Sequence, residues 1–391
     1  MSIEFPSPIS SIPPIVPTAD ACATISQFVS NGTQIPAQMA WDCLHSVPLN
    51  DTAAVDWLES LKPYVAWQRT QSYLKNPPPD YVHASVDVYT RIDEIIAKVD
   101  NYTNEYELEL AIYSIFQDCH GEHFKYYPTL VTDVFAFRRP FSIVSLSSDG
   151  QKLPKPYIYE DIIYSSQNMS FKPSALVAIN GMDATHSLEL MSRYGSGHDL
   201  DSLYNSVMHQ ASRVAAEGGT AGGHGIFFGD SFGLAVYTGF YTALTFENGT
   251  STLNFNYALP MKDFKQVESG QDIYDMYLDT NDRKVKGRAL SQSKALDDYT
   301  NTPFPSLSKQ NLSNAFQGFY LASPQYADIA VLSVQAFHVD SLSDDKFSAL
   351  AQQFLVDARQ QGKTKLIIDL SNNGDGYLGL GERLYKILFP T

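Results

Sequence analysis

The stretch Lys365-Leu-Ile-Ile-Asp-Leu-Ser-Asn-Asn-Gly-Asp-Gly376 decides how the chain folds at its C-terminal end. Its first six residues are mostly aliphatic and short enough for a buried strand; a Gly-rich turn follows, then a helical run to Leu388. Upstream, Ile329 to Val334 is a second strand of the same buried type. Between the two, Ser343 opens a helix whose inner face carries Phe347, Leu350, Ala351, Phe354, Leu355 and Ala358. Strand, helix, strand, helix predicts a parallel strand pair and the start of an α/β domain over residues 323–391. Such a unit leaves one sheet edge open and cannot cover both faces by itself, so the domain is expected to be incomplete at Thr391.

Working outward, residues 263–322 are polar, charged and poor in apolar pattern, and read as a linker or long loop. Residues 126–262 read as short strands punctuated by turns. Ser142 to Leu146 alternates, Ala175 to Ile179 closes on Asn180-Gly181, and Thr242–Phe246 faces Leu253–Tyr257 across Asn248-Gly249. Residues 21–125 are mostly helical. The clearest helix starts at Asn104, an N-cap with Glu107 three residues on, and lines up Leu108, Ala111, Ile112, Ile115 and Phe116 before Gly121 as its stop. Residues 1–20 are Pro/Ser-rich and read as a disordered leader. The fold class is therefore multidomain α+β.

The 391 residues are 44% hydrophobic and 18% charged, a globular balance over two or three domains. With 27 Lys+Arg against 43 Asp+Glu, the net charge of −16 argues against a nucleic-acid surface or a binder of anionic membranes. No run approaches the ~18 apolar residues of a membrane span. Three cysteines, Cys22, Cys43 and Cys119, exclude a CxxC metal cage; Cys22 and Cys43 lie close enough in sequence to pair. Six glycosylation sequons, at Asn31, Asn50, Asn101, Asn168, Asn248 and Asn311, lean toward the secretory pathway. The first thirty residues lack the basic start and apolar core of a signal peptide, which points the other way.

Three constellations could carry chemistry. Asp118-Cys-His-Gly-Glu-His-Phe124 ends the strong helix. There a histidine between carboxylates can serve as a general base, and the helix dipole with Asp118 and Glu122 should raise its pKa modestly. His120 fits best and His123 is the alternative. His120, Glu122 and His123 as metal ligands is a weaker reading, because adjacent turn positions seldom converge. Two structural loop histidines are the plain reading. The Gly-rich turn at Gly374 and Gly376 could offer backbone N–H groups to an oxyanion. Gly229-Asp-Ser-Phe-Gly233 satisfies G-x-S-x-G, but a β-rich sequel makes Ser231 only a minor nucleophile candidate, for an esterase. Gly218 to Gly225 lacks the strand–helix context of a nucleotide site.

Taken together, the chain resembles the tail-specific, C-terminal-processing serine peptidases of family 41, most of all the fungal branch related to chlamydial protease-like activity factor. Asp118-x-His120-x-x-His123-Phe124 looks like the family's catalytic-His motif. Ala175-Leu-Val-Ala-Ile-Asn-Gly-Met-Asp183 and Phe246-Glu-Asn-Gly-Thr250 look like the strand-turn and later hairpin of its PDZ-like domain. Leu366 to Gly376, continued by Leu384-Tyr-Lys-Ile-Leu-Phe-Pro390, looks like its hydrophobic strand, Asp-Leu-x-x-Asn-x-Gly-Gly turn and helix. Two departures stand out. The Gly-Gly pair is here Asp375-Gly376, and Ser371 occupies an ordinary loop position. In the family the nucleophilic serine and its acidic support lie well downstream of this strand, so no serine of this chain is expected to map onto the nucleophile.

The resemblance implies endopeptidase cleavage of a peptide or protein substrate: serine attack, proton removal by His120, and an oxyanion held by backbone amides. It calls for no cofactor or metal. A PDZ-like domain over 126–262 would hold a peptide terminus by strand addition. Processing of a precursor in fungal ribosomal peptide toxin biosynthesis is the biological role it suggests. The alternative is a catalytically inactive peptide-binding pseudo-peptidase.

Overall fold

The computed structural model describes residues 21–28, 34–216, 225–229, 236–279, 316–321, 324–337, 344–371, 373–374 and 376–390. They fall into two compact units, residues 1–209 with 225–295, and residues 210–224 with 296–391.

The first unit opens with helices α1 (Ala21–Phe28), α2 (Ala37–His45, after the short strand β1, Ile35–Pro36), α3 (Asp51–Val65), α4 (Gln71–Lys75), α5 (Val88–Ile96) and α6 (Glu105–Asp118). Their starts follow side-chain chemistry. Asn50, Asp87 and Asn104 each accept a hydrogen bond from the amide three residues on, satisfying a donor the helix cannot. Helix α6 is the pivot. Leu108, Ile112, Ile115 and Phe116 pack into one apolar cluster with Leu58 and Leu61 of α3 and Ile92 of α5. Tyr106 and Tyr113, on its other side, belong to the cluster beneath the sheets. A helix buried on both sides retains acidic groups only where they find donors: Glu109, 4% exposed, accepts from the amides of Leu130 and Val131.

The β-rich middle carries α7 (Thr129–Thr132), β2 (Phe135–Arg138), β3 (Ile143–Leu146), β4 (Lys155–Ile158), α8 (Tyr159–Gln167), β5 (Leu176–Ile179), β6 (Met182–Asp183), α9 (Ala184–Ser192) and α10 (Leu200–Val207). After α11 (Ala211–Ala216), which groups with the second unit, come α12 (Gly225–Phe228), β7 (Tyr241–Phe246), β8 (Ser251–Phe255) and β9 (Tyr257–Pro260). The main sheet runs β6-β5-β7-β8, all antiparallel, with β7 and β8 paired from Tyr241↔Phe255 to Thr245↔Ser251. Asn180 and Gly181 both take positive φ (51° and 81°), which makes the tight turn between β5 and β6. Sheets β1-β9-β2 and β3-β4 complete the layer, and Leu176, Ile179, Leu188, Phe227, Leu244 and Phe246 lie in its core.

Two expectations need correction here. Residues 126–262 contain well-formed helices as well as strands; Asp183 and Asp199 cap α9 and α10 through the amides of His186 and Ser202. The supposed linker contains α13 (Gly270–Tyr277), opened by a reciprocal Ser269–Asp272 capping box and anchored by buried Phe264, Val267 and Ile273. It also contains a strand, β10 (Phe316–Tyr320). Residues 280–315 and the leader, 1–20, lie outside the described residues.

In the second unit β10 pairs antiparallel with β11 (Ile329–Val334), and β11 pairs parallel with β12 (Lys365–Asp369), in the order β10-β11-β12. Helix α14 (Asp344–Gln360) crosses between β11 and β12, and α15 (Leu378–Leu388) follows. Leu332, Val334, Phe347, Phe354, Leu380 and Leu384 form one cluster. Gly318 is required by contact: a Cβ there would meet the Phe354 ring at 2.2 Å.

Candidate active site

Helix α6 delivers His120 to its C-terminal end. Cys119 takes the C-cap position, and His120, with φ 51°, takes the left-handed residue that commonly ends a helix. That places the reversal one residue before Gly121, where the sequence had suggested it. For a side chain with a Cβ this conformation costs on the order of 1 kcal/mol, so surrounding contacts must hold it. Two do: the His120 amide donates to the Gln117 carbonyl at 3.0 Å, and its carbonyl accepts from the Gly197 amide at 3.2 Å.

The ring of His120 stacks on that of His83, centroids 3.7 Å apart and planes 23° apart. Its Nδ1 is buried and has no hydrogen-bond partner among the described residues. Asp118 does not supply one, because its carboxylate is taken by two arginines, Arg91 at 2.8 Å and Arg193 at 2.5 Å. Burial, helped by His83, pushes the His120 pKa down to about 4; Asp118 pulls weakly the other way. The expected modest rise is thus reversed: desolvation of the ring outweighs a carboxylate whose charge two guanidiniums already neutralise. At neutral pH the imidazole is uncharged and able to accept a proton.

His83 arrives on a strap between α4 and α5. Its Nε2 lies 2.8 Å from the His198 carbonyl, which can only accept, so that nitrogen carries a proton. Tyr81 on the same strap bonds the Nδ1 of His198. Neither His83 nor His198 was legible as a site residue, since nothing local ties them to the 118–124 motif. His123 is exposed. Among the described residues no three of His, Cys, Asp and Glu converge as metal ligands, so His120, Glu122 and His123 do not assemble as a cage.

In the second unit the Gly374 amide donates to the Gln335 carbonyl at 2.9 Å. It is therefore spent inside the fold and not free for an oxyanion, which corrects that expectation. Gly376, φ 132°, bridges to Phe337, and the Tyr377 amide bonds the Phe337 carbonyl at 2.8 Å. Asp375 and Ser231 lie outside the described residues, as do Asn31 and Asn311. Cys22 and Cys43 form a disulfide, Cα atoms 4.8 Å apart, joining α1 to α2. Cys119 is a buried thiol, its pKa pushed up to about 12 by burial. Of the described sequons, Asn50, Asn101 and Asn248 are exposed and Asn168 is half-buried.

The family description "CPAF-like PDZ domain" matches residues 136–265. Two proteins of Diaporthe leptostromiformis, named peptidase S41 family protein phomP1' and phomP1, are 26% and 25% identical over 350 residues, 80% of this chain and 48% of each relative. Peptidase S41 family protein ustP of Aspergillus flavus is 46% identical over 74 residues, 19% of this chain and 15% of that protein. The chain spans about half the length of the two longer matches. The chain is thus similar to fungal proteins named for peptidase family 41, and residues 136–265 of its β-rich middle match a CPAF-like PDZ domain.

Proposed function

We propose that this chain supplies the general base and the peptide-holding domain of a serine endopeptidase. The carrying observation is His120 itself: a neutral imidazole at the end of a buried helix, held in a left-handed conformation, with a buried Nδ1 that no described residue bonds. In a serine, histidine, acid triad one ring nitrogen takes the serine proton while the other is held by a carboxylate. The Nδ1 of His120 is the nitrogen such a carboxylate would hold, and Asp118, bound to Arg91 and Arg193, is not that carboxylate. Peptide would be held by the PDZ domain, whose β8 lies at a sheet edge with Leu253 and Phe255 exposed. A peptide precursor is the substrate class that the family resemblance favours. A secretory location is supported by the Cys22–Cys43 disulfide and the exposed sequons.

The open β8 edge also favours a second reading, a binder of extended peptide that does not cleave it. Peptide hydrolysis by the full-length gene product separates the two. His120→Ala should abolish turnover while peptide binding persists; turnover lost with His123→Ala but kept with His120→Ala would move the base to His123. Absence of turnover in the wild type, with binding intact, would favour the second reading.

A further inference from the structure

The contacts around His120 assign a role to a residue far from it in sequence. We propose that His83 is the positioning residue for the His120 imidazole, holding one face of the ring by stacking. The proposal rests on the reading of His120 as the base. Among the described residues the buried Nδ1 of His120 has no hydrogen-bond partner, so packing is what orients the ring within them. His83 provides that packing at 3.7 Å and is itself fixed at the far side by the His198 carbonyl.

The strap that carries His83 is stiff at both ends. Asn76-Pro77-Pro78-Pro79 restricts the backbone where it leaves α4, and the Tyr81 amide closes back on the Pro78 carbonyl at 3.0 Å. Beyond His83, Val86 is buried and its amide bonds the Leu74 carbonyl at 2.7 Å, while Asp87 caps α5 and pairs with Lys75 at 2.6 Å. The ring reaches His120 from a pre-set position, which is what a residue aligning a catalytic group requires. The other groups bearing on the His120 ring are Asp118 from α6 and Arg193 and His198 from the segment after α9; Glu122 stands beside Gly197.

Two readouts test this. In the 391-residue chain, the His120 ring proton titration is followed by NMR in wild type, His83→Ala and His83→Phe. Loss of the stack in His83→Ala opens the His120 ring to water and should raise the midpoint by about one pH unit. His83→Phe keeps an aromatic face and should shift it less. In the full-length gene product, His83→Ala should lower kcat ~10–100-fold at little change in KM. His83→Phe should recover most of that loss, and the acid limb of the rate profile should follow the NMR midpoint. A His83→Ala protein with wild-type kcat and midpoint, beside an inactive His120→Ala, overturns the positioning role. If His120→Ala stays active, the base assignment fails instead. The proposal for His83 is then decided by the midpoint alone: a shift supports the stack, and an unmoved midpoint rejects it.

Discussion

Replacing Glu109 by Gln should stabilise the first unit at alkaline pH and change little at acid pH. Glu109 lies on α6, the helix that ends at His120; its Oε2 accepts from the amides of Leu130 at 2.6 Å and Val131 at 3.2 Å. Burial, reinforced by the Glu105 carboxylate, pushes its pKa from 4.5 up to about 8, although the two amide donors oppose the rise. The folded-state value is the higher one, so the unfolded chain gives up its proton first as pH increases. The stabilisation is complete below about 4.5 and is lost by about 8. Linkage between those two values costs the wild type ~1 kcal/mol at pH 5 and ~4 kcal/mol at pH 8. Gln keeps an acceptor oxygen for both amides and places an N–H where the protonated acid has its O–H, but it does not titrate. The stability difference between variant and wild type should therefore grow by ~3 kcal/mol in favour of Gln from pH 5 to pH 8. Urea melts at the two pH values measure it, with hydrogen exchange at the Leu130 and Val131 amides as the local reporter. Glu105 and Glu160, both pushed up to about 7 by burial, give slopes of the same sign in both proteins and cancel to first order in the difference. Parallel pH curves for the two proteins would refute the reasoning, and Glu109 would then be an ordinary ionised carboxylate held by two amides.

Three other outcomes are expected. Asp118→Ala leaves Arg91 and Arg193 facing each other without their shared counter-ion and should cost ~1–2 kcal/mol by thermal melt, with partial recovery in high salt; an unchanged melt would mean the pairs are too solvated to matter. Reducing the Cys22–Cys43 bridge, which closes a separation of 21 residues, should cost ~3 kcal/mol, and an unmoved urea midpoint after reduction would contradict that. When the protein is made through a secretory pathway, glycopeptide mapping should find Asn248 modified, since it sits exposed at the tip of the β7–β8 hairpin; unmodified Asn248 in secreted material would count against the secretory reading.

What the sequence by itself determined was local. The Asn104 cap and its periodic Leu108-to-Phe116 stripe specified α6, Asn180-Gly181 specified a turn, and the runs around Ile329 and Lys365 specified β11 and β12. Each of these signals acts within one or two turns of chain, through capping, positive φ and hydrophobic spacing. Weaker local signals were also present at Ser269-x-x-Asp272, Asp183 and Asp199, where short helices start inside stretches whose composition reads as loop or strand. The tertiary structure decided the rest. It buried the second side of α6, turning Tyr106, Glu109 and Tyr113 into core. It set the Arg91 and Arg193 guanidiniums on Asp118 and the His83 ring on His120, so that the histidine pKa falls where adjacent carboxylates in sequence argued for a rise. It also closed the Gly374 amide onto the Gln335 carbonyl. Charge and hydrogen-bond partners are chosen through space, and desolvation depends on everything packed around a group, so neither can be read from the residues on either side of it.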